Sequence, residues 1–200
     1  MNDTLVDAAA LREDVKAKYR DVATNPGGEF HFHTGRKLAA HLGYDMSVVN
    51  ALPDAVVESF AGVANPFSPG FLDEGDRVVD AGAGAGFDSF IAAGQVGPSG
   101  WVVGIDMTEE MLVKSRVTAK QMGLGNVEFH QGLLEDMLVE DGWADVVISN
   151  GAINLCPNKK QVFAKIMRVL KPGGRLQFAD IANREPVSEA AVRDIDLWNT

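Results

Sequence analysis

The sequence predicts a doubly wound α/β domain with a mainly parallel sheet, and three observations predict it. Short segments rich in Val, Ile and Phe recur from residue 76 onward: RVVDAG, WVVGID, NVEFH, ADVVISN and GRLQFAD. Stretches of helical spacing separate them, which makes a βαβ series. A run of alternate glycines, Asp80-Ala81-Gly82-Ala83-Gly84-Ala85-Gly86, directly follows the first of these segments and opens a helix. Sheets of this class bind ligands at that kind of turn.

In chain order, residues 4–20 space Leu5, Ala8, Ala9, Val15 and Tyr19 at near-helical intervals, and Asn25-Pro26-Gly27-Gly28 ends the run. Segment 34–60 continues with Leu38, Leu42 and Tyr44, then PDAVVESF, in which Pro53 suits a first helical turn. Gly62-Val63-Ala64-Asn65-Pro66-Phe67 reads as a turn, either a plain linker into the first strand or a segment closing over a ligand. Residues 1–70 are thus expected to form an N-terminal helical cap, 71–182 the ligand-binding α/β core and 183–200 a C-terminal helix. Core helices are expected over 86–94, 108–122 and 158–170, the last with Val162, Phe163, Ile166, Met167 and Leu170 on one face. Lys171-Pro172-Gly173-Gly174 stops that helix and turns the chain into a fifth strand. The strands show little strict alternation, as expected when helices cover both faces of a parallel sheet. Beyond Asp180 only a loop and a helix over Ser188–Trp198 are legible, with no sixth strand.

Composition narrows the function. Two hundred residues with 46% apolar content suit one domain. A net charge of -10 disfavours any phosphate backbone as partner, so no nucleic-acid substrate is expected. A single cysteine excludes an internal disulfide, and Asp3, Asp7 and Glu13 stand where a signal peptide needs a basic flank and an apolar core. A cytoplasmic protein is expected, without a membrane span, since no apolar run approaches the roughly 20 residues required.

The glycines at 82, 84 and 86 allow a tight turn against which a bulky ligand can lie. A nicotinamide dinucleotide site would place glycines at 82, 84 and 87, but position 87 is Phe87. Asp106 ends the next strand, about 20 residues on, where a carboxylate can accept from both hydroxyls of a ribose. Met107 offers an apolar face to a base or simply packs, and Gly132-Leu133-Leu134 offers backbone groups to a base edge or is an ordinary turn. Asn150, in Ser149-Asn150-Gly151-Ala152-Ile153-Asn154, follows the fourth strand beside the point where the sheet changes direction. Cys156 faces that pocket or is a small buried hydrophobe. Of the four histidines, His33 is the candidate general base, and no ligand spacing suggests a metal.

Together these residues resemble class I S-adenosylmethionine-dependent methyltransferases over roughly 70–182. VVDAGAGAGFDSFIAAGQVGPSG, VVGIDMTEEML, VVISNGAINLCPNK and DIDLW are similar to arsenite methyltransferases in particular. The resemblance implies a Rossmann-like methyltransferase fold and S-adenosylmethionine as cofactor. It implies that Asp80, Gly82, Gly84 and Gly86 hold its methionine part, Asp106 the ribose, Met107 and Leu134 the adenine, and Asn150 the wall beside the sulfonium, with Ala83 and Leu133 also among the cofactor-binding residues. The catalytic candidates are His33, Asn150 and Cys156, although transfer from an activated methyl needs no triad. The family binds trivalent arsenic through several cysteines; here Gly151 stands where one is expected after Ser-Asn, and one cysteine cannot form a three-thiolate site.

Complete members of the class add two strands after the fifth, and these are absent from the sequence. The strand around Arg175–Asp180 is then an open edge, and three readings stay open: a deliberately shortened chain, a natural fragment, or a sheet completed by a partner, with two copies associating through or near that edge. The expected function is methyl transfer to a small molecule, with an arsenite-like acceptor as the family-level option. The alternatives are a nicotinamide-dependent oxidoreductase and a non-catalytic cofactor-binding module.

Overall fold

The computed structural model describes residues 5–28 and 30–198. The first helix, α1, spans Ala8–Thr24, four residues later than the spacing predicts. Its start is fixed by Asp7, whose carboxylate accepts from the backbone N–H groups of Ala9 and Ala10 at 2.9 and 3.1 Å. Three short helices follow, α2 (Gly35–His41), α3 (Met46–Ala51) and α4 (Asp54–Val57).

Five parallel strands form one sheet: β1 (Arg77–Ala81), β2 (Trp101–Asp106), β3 (Val127–Gln131), β4 (Ala144–Asn150) and β5 (Leu170–Ala179). Their order is β3-β2-β1-β4-β5, so the winding direction reverses between β1 and β4. Helices α5 (Phe87–Val96), α6 (Glu109–Gln121) and α7 (Lys159–Val169) lie within one or two residues of the expected bounds.

Adjacent strand residues feed opposite cores, as the pleat requires. Val78, Val102 and Val146 pack with α5 and with Leu38, Val49, Val56 and Phe60 of the N-terminal segment. Val79, Val103 and Val147 pack with Val162, Ile166 and Val169 of α7. Both faces being covered, the strands read as continuous apolar runs.

Two expectations are corrected. Lys171-Pro172-Gly173-Gly174 is not a turn before β5 but lies within it: Leu170 already pairs with Ala144, the register shifts, and Arg175 pairs with Val146. The four residues are a bulge, with Gly173 at φ 83°. The single helix expected over Ser188–Trp198 is a short α8 (Glu189–Arg193) followed by a 3-10 turn at Ile195–Trp198, divided by the extended backbone of Asp194. That turn carries Trp198 back against the cluster of Val6, Leu11 and Val15.

Candidate functional site

A cavity of about 120 Å³ opens at the carboxyl ends of β1 and β4, where the strand order reverses. It is walled by the glycine turn after β1, the ends of β2 and β4, the segment after β3, and α1. Asp80, Gly82, Ala83, Gly84, Asp106, Met107, Leu133, Leu134, Asn150 and Cys156 all line it. The sequence candidates thus converge from four strand ends, with two exceptions.

The three glycines do different work. Gly82 (φ 91°) sits so close to the segment after β4 that a Cβ there would lie 2.3 Å from Cβ of Ala152. Gly84 (φ 53°) has nothing within 4 Å of its missing Cβ, so it presents bare backbone to the cavity. Gly86 (φ 92°) is the first exception: it caps α5 and faces inward, where a Cβ would meet Phe90 and Phe129 at 2.8 and 2.9 Å. It shapes the turn from the core side and does not line the cavity.

His33 is the second exception. The segment bends at 31–32 and half-buries Phe30 and Phe32, which stack on each other and on Tyr19, while His31 and His33 are exposed. His33 is exposed and does not line the cavity. His130 is also exposed, paired with Glu128 at 3.1 Å on β3. Among the described residues no cluster of His, Cys, Asp or Glu is arranged to hold a metal.

Asp106 is poised by its own turn: its two oxygens accept from Gly84 N–H at 2.9 Å and Thr108 N–H at 2.8 Å. Burial raises its carboxyl above the usual range, opposed by those hydrogen bonds. Asp80 is 2% exposed and accepts from the Ser89 hydroxyl at 2.5 Å. Burial first, then the charge of Asp88, push its carboxyl up to about 8. Cys156 is buried, and that burial pushes its thiol up to about 12, with Glu135 adding to the effect. It is a thiol at neutral pH, not an activated nucleophile.

The structure adds residues that the sequence did not single out. Arg12 of α1 reaches 123 positions along the chain to Glu135, at 3.0 Å, and both residues line the cavity. Tyr19 lines the same wall, its hydroxyl pushed up to about 12 by burial and by Asp106 and Asp180. Asp88, in the first turn of α5, accepts from Tyr44 OH at 2.7 Å and from the Asn150 amide at 3.0 Å. Burial raises it to about 6, against the pull of those two hydrogen bonds. An acid in a first helical turn signals only dipole pairing in a sequence, and Tyr44 has the spacing of an ordinary core residue.

Residues 72–199 match the family described as a methyltransferase domain. The chain is 36% identical to an arsenite methyltransferase of Halobacterium salinarum, covering 98% of this chain and 54% of the relative. It resembles the crystal structure of an arsenic (III) S-adenosylmethionine methyltransferase from Chlamydomonas reinhardtii, with TM-score 0.62 and 39% identity over 68% of this chain and 48% of that one. A methyltransferase from Aquifex aeolicus, 20% identical, shares the fold over 92% of this chain and 79% of its own, with TM-score 0.53. The chain spans about half the length of the curated arsenite methyltransferases it matches.

Proposed function

Because the chain belongs to the methyltransferase-domain family and has the fold of S-adenosylmethionine-dependent methyltransferases, we propose that it transfers a methyl group from S-adenosylmethionine to a small molecule. The observation that carries this reading is the cavity at the strand-order reversal, where Gly84 leaves backbone bare beside the Asp106 carboxylate that ends β2 and accepts from its N–H at 2.9 Å. The residues suit the cofactor. A Cβ-free backbone admits the bulky amino-acid arm, the buried acids Asp80 and Asp88 favour its cationic groups, and Met107 and Leu134 give the base an apolar slot.

When bound, the cofactor supplies a methyl group already activated on a sulfonium. The protein's part is then placement. Asp106 holds the ribose hydroxyls by accepting from them, while Gly84 and Thr108 fix its orientation. Phe60, stacked on Phe87 at a 4.0 Å ring separation, excludes water from the adjoining wall. Placement of this kind supplies much of a transfer rate without acid–base help, in keeping with the absence of His33 from the cavity lining.

The acceptor we infer is a small molecule. Arsenite, carried as its complex with an external thiol, is the option favoured by likeness to arsenite methyltransferases, since Cys156 alone cannot supply a set of thiolates. We also propose a cytoplasmic setting and pairing of two copies along β5, whose edge leaves Phe178 and nearby Ile181 46% and 64% exposed. A monomeric mass by sedimentation would overturn the pairing.

Calorimetric titration with S-adenosylhomocysteine, beside the reduced nicotinamide dinucleotide, tests the donor. Binding of the first alone is expected. Binding of the second alone would replace the proposal with an oxidoreductase. A methyl-transfer assay across acceptors, including arsenite with thiol, then separates a catalyst from a module that only binds cofactor.

A further inference from the structure

Segment 60–64 has no regular secondary structure, yet Phe60, Ala61 and Gly62 wall the cavity. Its place is set from outside. The Asn150 carbonyl oxygen accepts from Val63 N–H at 2.8 Å and Ala64 N–H at 3.2 Å, and the Asn150 amide donates to Ala64 O at 2.8 Å. The fit is close: a Cβ on Gly62 would lie 2.3 Å from that amide nitrogen.

An asparagine amide can face either way, and a flipped Asn150 would present N–H to the Val63 and Ala64 N–H groups. Those N–H groups and Ala64 O oppose the flip from the segment itself, and Asp88 opposes it from the core side, where the amide also donates to Tyr44 OH at 3.0 Å. An ionised carboxylate only accepts, and its two oxygens take the Asn150 amide on one side and Tyr44 OH on the other. Asp88 and Tyr44 are themselves 7% and 5% exposed, with Tyr44 edge-on to both Phe60 and Phe87. We propose that Asp88, acting through Asn150 and braced by Tyr44, is the positioning residue that holds segment 60–64 as a wall of the cofactor site. The assignment to a cofactor rests on the donor reading above; the positioning of the segment does not.

The titratable groups facing Asp88 are Tyr44 from the N-terminal segment and Asp80 from β1. Burial holds Tyr44 protonated, and Asp80 is raised further than Asp88, so the first proton lost as pH rises is centred on Asp88 and coupled to Asp80.

The test compares wild type, Asp88→Ala, Asp88→Asn and Tyr44→Phe. In Asp88→Ala the Val63 and Ala64 amides exchange at least about tenfold faster with deuterium while β1 and β4 amides keep their protection, and the dissociation constant for S-adenosylhomocysteine rises about tenfold. Tyr44→Phe, which keeps the packing, shifts both measurements in the same direction by a smaller factor. Asp88→Asn recovers most of the affinity, because its carbonyl still accepts from Asn150 while its amide donates to Tyr44, whose hydroxyl turns to Ala64 O, 3.1 Å away. The Asn150 side-chain amide resonance titrates near pH 6 in wild type and not in Asp88→Asn. Unchanged exchange at Val63 and Ala64 in both Asp88→Ala and Tyr44→Phe would overturn the proposal. If wild type fails to bind S-adenosylhomocysteine, the donor reading falls, and the exchange comparison still decides whether Asp88 positions the segment.

Discussion

Cofactor binding should expel a proton from Asp80, and pH is the perturbation that reveals it. In the ligand-free cavity burial and the neighbouring Asp88 push this carboxyl up to about 8, so at pH 6 it is almost wholly protonated. A ligand that sets an ammonium group against it favours the carboxylate and draws its pKa well below 6. The association constant then scales with the fraction ionised beforehand, which rises about fifty-fold between pH 6 and pH 8 for a pKa of about 8, equivalent to about 2.3 kcal/mol. The sign for folding is opposite. A carboxyl whose folded pKa is raised adds stability at low pH and loses it as pH climbs toward the folded pKa, so the ligand-free protein should melt lower at pH 8 than at pH 6 from this group. Titration calorimetry with S-adenosylhomocysteine at both pH values, in two buffers of different ionisation enthalpy, measures affinity and protons released together. Near one proton released at pH 6.5 and a steep rise in affinity are expected. Affinity that is flat or falls with rising pH, with no buffer dependence, would refute the reasoning. Asp80→Asn should abolish the proton release and raise the melting temperature at pH 8.

Gly82→Ala should destabilise the fold by about 2 kcal/mol in urea unfolding, because the methyl group meets Ala152 at 2.3 Å on a backbone with φ 91°. Gly84→Ala, with open space at φ 53°, should cost about 1 kcal/mol of stability yet weaken S-adenosylhomocysteine binding more than its stability loss suggests. Cys156, with its thiol near 12, should react with iodoacetamide at pH 8 far more slowly than in urea-unfolded chain; equal rates would contradict its burial. Arg12→Ala should lower stability by about 1–2 kcal/mol by leaving buried Glu135 without its guanidinium partner, and amide exchange should place the loosening in α1.

The fold was legible because its signals are local. Five Val/Ile-rich segments, the glycine run and the stops after each helix are all visible within windows of a dozen residues, and the helix bounds follow from them. The errors arose where a local signal has two structural meanings. Lys171-Pro172-Gly173-Gly174 breaks regular pairing whether it forms a turn or a bulge, and only the pairing of Leu170 with Ala144 decides between them. Gly86 and Gly84 are alike in sequence, two residues apart in one run, yet one turns to Phe90 and Phe129 and the other to the cavity.

The polar part of the site was least legible, and for a physical reason. Asp80 and Asp106 end strands, and a strand end in this topology is a position of known meaning. Asp88, Tyr44, Arg12 and Glu135 gain their meaning from contacts between segments 44 to 123 positions apart. No periodicity records such a pairing. Asn150 joins the two categories: its place at the end of β4 marks it in the sequence, but its hydrogen bonds go to Val63, Ala64, Tyr44 and Asp88. We propose that an amide with its donors and acceptors engaged in that way acts on a ligand by fixing the wall around it. Sequence position can therefore nominate Asn150 for the site, whereas its role follows only from what holds it.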